Sequence, residues 1–454
     1  MTDYSRKIVY SFFFRQKSLF ILHTKFALPV SQVLKLIAML CLAIRKKRLG
    51  VTLLLKSARV SSNASTTNRV RKIVEADKLL EHESSLLVGM LPPLEGRGIN
   101  DLSSRTLILK KPRIIDGELI EKGVLIVKFT ETFSAFYQLI DADELSTFFN
   151  IILEPSWVGY ALPEILVWTR LRVDNKVVVL SGYERDFSFI EELKSNLVPS
   201  TIGPADWVNP ETFVPSDSND KEFDCIYVAN FDSAKRVDRF LQAVVNVTKL
   251  NDQFKPALVC ASHGGNKKDI LEIVKWAQSK SNLKFYSGMS QAELSRLVGS
   301  SKVNVLVSLR EGANKGLAEG LWCDVPALLA SECVCGNTRH INEDTGMIVS
   351  DSDLESALIR FSQSQQNFRP RKWVEANISP AMTSFKLSRM LEEMDRELAL
   401  EWTKDLFVKT NSPELTYMDN SLLYLHKYKS VLLTKFARGT YSDVDILRYL
   451  ESIE

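Results

Sequence analysis

The stretch Ser308–Leu328 reads SLREGANKGLAEGLWCDVPAL, and it decides how this chain is read. An apolar run, VNVLV (303–307), leads into it and predicts a buried strand. The segment ANKGLAEGLW then predicts a helix that begins near Asn314, a residue type that caps helix starts. Glu311 and Glu319 flank this junction, with Gly312 and Gly316 between them and Lys315 beside the cap. The first amides of a helix, here those near 314–316, have no partner inside it. Together with the helix dipole they form an anion site suited to phosphate. Gly312 lets the backbone turn and come close to a ligand. Lys315 adds a cation, and Glu311 and Glu319 are placed to accept hydrogen bonds from sugar hydroxyls. The set fits a nucleoside diphosphate carrying a sugar. A plain helix start, with a Lys315–Glu319 pair one turn apart and a solvated Glu311, is the alternative.

Outward from the junction the pattern stays regular. Strands are expected at 225–230, 257–261, 283–288, 303–309, 325–330 and 345–350, with helical patterns between most of them, such as 237–250 and 267–280. Apolar strands alternating with amphipathic helices imply a parallel sheet covered on both faces. Ligands of such sheets bind beyond the strand C-termini. In the first half, strands are expected at 51–55, 85–90, 123–129, 149–154 and 176–181, and helices at 133–140, 163–172 and 187–195. The segment 57–72 reads as a polar loop, 209–222 as a linker rich in turn residues, and the chain after Pro380 as helical.

With 454 residues, 45% of them hydrophobic, the chain is long enough for two or three domains with sizeable cores. The net charge of +3 hides an asymmetry: residues 1–72 carry fifteen Lys or Arg and one acid, Asp3. A basic leader on an acidic body suits an anionic lipid surface, with nucleic acid as the rival. The segment 28–48, LPVSQVLKLIAMLCLAIRKKR, has an uninterrupted apolar core too short to span a bilayer. It reads equally as an interfacial helix or as a core helix with a basic end. The six cysteines, at 41, 225, 260, 323, 333 and 335, mostly lie in apolar runs and point to buried thiols in a reducing, cytoplasmic setting.

The junction resembles the Glu-x7-Glu signature of retaining glycosyltransferases of the GT-B fold, family 4 (the group 1 glycosyltransferases). LKFYSGMSQAELSRLVGSSKVNVLVS (283–308), LWCDVPALLAS (321–331), TGMIVS (345–350) and WVNPETFVP (207–215) resemble the segments around that signature, so the likeness covers roughly 200–395. It implies an α/β, GT-B fold: two Rossmann-like domains facing a central cleft, with helical additions at both ends. The implied divisions are a basic, apolar segment 1–50, an acceptor domain 51–208, a nucleotide-sugar domain 209–400 and a helical extension 401–454. By resemblance Glu311 contacts the transferred sugar and acts in catalysis, and Glu319 contacts the ribose. Lys235 matches the diphosphate-binding lysine of the family's Gly-Arg-x4-Lys-Gly pattern. Asn230 stands at the arginine position, so either Arg236 or Lys315 compensates or donor binding is weakened. Donor binding is thus expected at Lys235, Arg236, Gly312, Asn314, Lys315, Gly316 and Glu319.

The resemblance implies a hexosyltransferase-type enzyme using a UDP- or GDP-sugar donor, with no cofactor and no metal. The Asp-x-Asp pairs 141/143, 351/353 and 443/445 read as helix-start acids. A carbohydrate or lipid-linked acceptor and an anionic membrane surface are the expected partners, at the inner face of the membrane, and nucleic acid is not expected. On the acceptor side Glu154, Tyr183, Glu184 and Asp186 follow candidate strands, and no active-site histidine is evident. A nucleotide-sugar epimerase or hydrolase, or a non-catalytic scaffold of the same fold, are the alternatives.

Overall fold

The computed structural model describes residues 26–439, apart from 62, 173, 218–220, 364–366, and also 449–450. Expectations for residues 1–25, and for Asp443 and Asp445, lie outside the described residues. The chain forms two compact units that are not contiguous in sequence. Residues 28–204, 380–410 and 414–454 make the first, and 205–379 with 411–413 make the second. This division differs from the expected boundaries mainly after Pro380, where the chain returns to the first unit.

The first unit opens with three helices: α1 (Ala27–Ala43), α2 (Lys47–Val60) and α3 (Ala64–Lys78). The expected strand 51–55 is part of α2. Its apolar run continues at helical spacing, and Val51, Leu54, Leu55 and Ala58 all face inward. The expected loop 57–72 is corrected too. Asn63 caps α3 by accepting from the Thr66 amide at 3.0 Å, and Thr66, Thr67, Val70 and Val74 form a buried stripe. Residues 86–89 are a single helical turn capped by Ser85, not a strand. The sheet runs in the order β1 (Thr106–Lys110), β2 (Gly123–Lys128), β3 (Phe149–Glu154), β4 (Val177–Leu180), β5 (Leu197–Ser200). All neighbours are parallel except β1, which is antiparallel to β2. Strands β1 and β5 were not anticipated.

The second unit holds a six-stranded parallel sheet. Its strands are β6 (Cys225–Ala229), β7 (Pro256–Cys260), β8 (Lys284–Ser287), β9 (Asn304–Leu306), β10 (Ala327–Ala330) and β11 (Gly346–Val349). All six expected strands are present. Helices α4 (Val237–Thr248), α5 (Lys267–Gln278), α6 (Gln291–Gly299) and α7 (Lys315–Trp322) connect β6 through β10. The spatial order is β8-β7-β6-β9-β10-β11. The chain therefore winds outward one way from β6, then reverses between β6 and β9. Such a reversal opens a crevice at the strand C-termini, where ligands of doubly wound sheets bind. Helix α7 lies tight on the sheet: a Cβ at Gly320 would come within 2.3 Å of the Asn304 amide nitrogen on β9.

Past Pro380 the chain is not wholly helical. Helix α8 (Pro380–Glu397) is followed by a short antiparallel pair, β12 (Lys409–Thr410) with β13 (Thr416–Tyr417), and then by α9 (Leu425–Lys435). These residues cover the edge strand β1. The Phe407 amide donates to the Leu109 carbonyl at 2.8 Å, the Tyr417 hydroxyl to Ile108 at 2.9 Å and the Lys429 ammonium to Thr106 at 2.8 Å. An edge strand has unpaired backbone groups, and these bonds satisfy them.

Candidate donor site at the switch point

The loops after β6 and β9 flank the crevice, and they are laced together. The Leu309 amide donates to the Ala234 carbonyl at 2.9 Å, and the Tyr227 hydroxyl donates to the Lys235 carbonyl at 2.5 Å while touching Ser308 Oγ at 3.1 Å. Lys235 ends a turn of 3-10 helix, Ser233–Lys235, capped by Asp232. Its ammonium meets Glu311 Oε1 at 2.6 Å. The Asn314 side-chain nitrogen, Nδ2, donates to the same oxygen at 3.3 Å. Residues 333–337 brace the Glu311 loop from the far side: the Glu311 amide donates to Val334 O at 2.9 Å, the Gly336 amide to Gly312 O at 3.0 Å, and the Asn314 amide to Asn337 Oδ1. Glu311 is only 5% exposed.

Asn314 caps α7 as expected, its side chain accepting from the Leu317 amide at 2.8 Å. One turn along, Glu319 is 7% exposed and accepts a hydrogen bond from the Ser412 hydroxyl. Burial pushes the Glu319 carboxyl upward, opposed by that hydroxyl and by the Lys315 charge. The Lys315 ammonium donates to the Asn411 carbonyl at 2.5 Å. Gly316 packs against Val228 on β6, with a Cβ there falling 3.3 Å from the valine Cβ.

The structure thus gathers Lys235, Glu311, Gly312 and Asn314 in one cluster, and Lys315 and Glu319 in a second with residues 411–412. Arg236 belongs to neither. Its backbone is left-handed (φ 49°), and its guanidinium grips both oxygens of Asp351 and touches the Val307 carbonyl at 3.4 Å. Its charge is therefore already matched by Asp351, as that of Lys235 is by Glu311. Asn230 itself meets His263 Nε2 at 3.0 Å, across the ends of β6 and β7. Gly264 beside it holds a left-handed turn (φ 123°), and a Cβ there would fall 2.5 Å from the Phe231 carbonyl carbon.

Several other candidate carboxylates have partners within the protein. Asp351 also pairs with Arg239, and Asp141 caps the helix Ala142–Phe148. Among the described residues no group of three or more His, Cys, Asp or Glu is placed to hold a metal ion. In the first unit Glu154 lies buried between Lys128 at 3.4 Å and Lys409 at 3.1 Å. Asp186 anchors a loop by accepting from the amides of Gly159 and Tyr160. His340 is buried, with Nε2 3.2 Å from Asp206. Asn411 and Ser412 escaped the sequence reading: nothing local in that stretch links it to α7.

Residues 208–377 match the family described as Glycosyl transferases group 1. No curated protein sequence matches the chain. Among solved structures the chain is similar to a G117R mutant of TarM from S. aureus in complex with Fondaparinux, alpha-GlcNAc-glycerol and UDP. The identity is 12%, over 60% of this chain and 55% of that one, with a TM-score of 0.47. It is similar to sucrose-phosphate synthase from Thermosynechococcus elongatus at 15% identity, over 60% of this chain and 74% of that one, with a TM-score of 0.47. For the pneumococcal O-GlcNAc transferase GtfA in complex with UDP and GlcNAc the identity is 14%, over 56% of this chain and 54% of that one, with a TM-score of 0.44. The chain spans about half the length of the TarM and GtfA chains it matches. The matched stretch 208–377 holds the switch point, Lys235 and both glutamates.

Proposed function

We propose that the protein transfers a sugar from a nucleotide-sugar donor, with retention at the anomeric carbon and without a metal, to a glycan or lipid-linked acceptor. The observation that carries this reading is the Lys235–Glu311 pair, seated at the reversal of the sheet beside the N-terminus of α7. In the resting protein the pair neutralises itself. A bound diphosphate would draw the Lys235 ammonium and free Glu311 to accept hydrogen bonds from the sugar. Lys235 and the first amides of α7 would then stabilise negative charge as it develops on the leaving diphosphate. Glu319 would accept from the ribose hydroxyls.

The membrane side of the proposal rests on α1. Leu36 and Leu40 are 63% and 60% exposed on it, and Leu28, Val33, Ile37 and Ile44 are exposed as well, next to the basic run Arg45–Arg48. An apolar face beside a basic cluster suits the inner, anionic face of a membrane. Among the described residues no helix is long and apolar enough to cross one. Vesicle sedimentation tests this: binding to anionic but not to neutral vesicles, lost in Leu36→Asp/Leu40→Asp, is the expected result.

Asn230 and the committed Arg236 favour a second reading, a non-catalytic protein on the same fold. Thermal unfolding with a panel of nucleotides and nucleotide sugars separates the two. A ligand at about a hundred times its Kd adds about 2.7 kcal/mol of stability. Stabilisation by one nucleotide class, reduced in Glu319→Ala, supports the transferase. A well-folded protein that responds to none of them supports the scaffold.

A further inference from the structure

Residues 411–413 are counted with the second unit although their neighbours on both sides belong to the first. They are fixed to the opening of the second unit by backbone contacts that do not involve α7. The Asn411 amide donates to the Trp207 carbonyl at 2.7 Å, the Asn209 amide donates to the Ser412 carbonyl at 2.9 Å, and Ser412 bridges to Val208. Asn411 and Ser412 are 1% and 2% exposed. A segment held this way is a wall and not a loose strap. It meets α7 through the Ser412 hydroxyl on Glu319 Oε1 and the Asn411 carbonyl on the Lys315 ammonium.

We propose that Ser412 is a positioning residue of the donor site, its hydroxyl holding the Glu319 carboxylate in the orientation that receives the nucleotide. The inference rests on the donor-site reading above. A carboxylate has about four acceptor positions, so one bond to Ser412 leaves Glu319 able to take ribose hydroxyls. The bond also helps keep a buried carboxylate charged, and only the charged form makes the stronger hydrogen bond to a ligand. The charged and titratable groups around Glu319 are Lys315 on its own helix and, one turn on, Cys323, whose thiol burial pushes up to about 12. Arg371 and Lys221 lie beyond Cys323. Lys315 donates to the Asn411 carbonyl and adds its charge nearby, and Ser412 donates to the carboxylate directly. Asn411 completes the arrangement with its backbone carbonyl, which no side-chain substitution at that position removes.

The test is nucleotide affinity as a function of pH for wild type, Ser412→Ala and Ser412→Thr, with Glu319→Ala and the Glu319→Ala/Ser412→Ala double variant to close the cycle. Ser412→Ala is expected to weaken binding about tenfold and to move the acid limb of the pH profile upward. Ser412→Thr should restore both. In the Glu319→Ala background, Ser412→Ala should have no further effect, because Ser412 acts through Glu319. Unchanged or tighter binding in Ser412→Ala would overturn the inference: tighter binding would mean that the hydroxyl competes with the nucleotide for Glu319. An equal loss in both backgrounds would overturn it as well, since the effect would then be general damage to the fold. Failure of the wild type to bind any nucleotide would remove the donor-site reading itself, and this inference with it.

Discussion

Glu311 and Glu319 stand eight residues apart, both nearly out of water, and the protein treats them differently. Glu311 receives a full positive charge, the Lys235 ammonium at 2.6 Å. Glu319 receives a neutral hydroxyl, while the nearest lysine on its own helix gives its protons to a backbone carbonyl. Burial of a carboxylate disfavours its charged form unless charge or hydrogen bonds compensate. The consequence at Glu319 is an upward shift led by burial. The comparison separates two ways of burying an acid: one locks it in an ion pair, and the other leaves it under-compensated.

The largest expected effect tests the ion pair. Breaking one half of a buried pair typically costs about 3–5 kcal/mol, because the other charge is left buried alone. Glu311→Ala should approach that loss in denaturant unfolding, and Lys235→Ala combined with it should recover part. A loss under about 1 kcal/mol would show that Lys235, whose side chain is 13% exposed, relaxes to water.

A third carboxylate sharpens the rule. Asp238 is 9% exposed on α4, near Arg236 and Arg239, yet its carboxyl is pushed up from 3.8 to about 6, chiefly by burial. Those arginines are taken by Asp351 and Glu355. The folded state therefore holds this proton more tightly than the unfolded chain does. The cost is absent below about pH 4 and complete above about pH 6, at about 3 kcal/mol. Asp238→Asn should gain stability over wild type as pH rises through that window. A pH-independent difference between the two proteins would contradict the rule.

Glu319→Gln should show the opposite of Glu311→Ala. The amide oxygen can still accept from Ser412 and carries no charge to desolvate, so stability at neutral pH should hold or rise. The gain should vanish as pH falls into the ordinary carboxylate range. Nucleotide affinity should nevertheless drop about tenfold, near 1.4 kcal/mol. The smallest expected effect is at Asn314, which caps α7 and supports Glu311. Asn314→Ala should cost about 1 kcal/mol, the usual loss for a helix cap, and Asn314→Ser should restore most of it.

The same contrast between near and distant partners explains what the sequence could reveal. The second unit was legible because its strands are near-continuous apolar runs separated by helices of clear period. The placement of Lys235, Glu311 and Asn314 was legible because each sits just beyond a strand end, set by local chain. The pairing of Arg236 with Asp351 was not legible because the two lie 115 residues apart. Ser412 was missed because it meets Glu319 across 93 residues. In the first unit VTLLL (51–55) fits strand and helix equally, and only the spacing through Ala58 decides. Strand β1, with the run TLILK, owes part of its cover to Phe407 and Tyr417, some 300 residues downstream.

The interleaving of the two units has a consequence for biosynthesis. Ribosomes add about 5–20 residues per second. Strands β1–β5 leave the ribosome first, but the residues that cover the β1 edge follow only on the order of ten to sixty seconds later. During that interval the nascent chain carries an open sheet edge, a template for mispairing that chaperones recognise. Residues 205–379 emerge in one piece and can close their core meanwhile. The bond from Ser412 to Glu319 forms after both, so the subsite proposed for the donor is finished only once residue 412 has been made, 93 residues after Glu319.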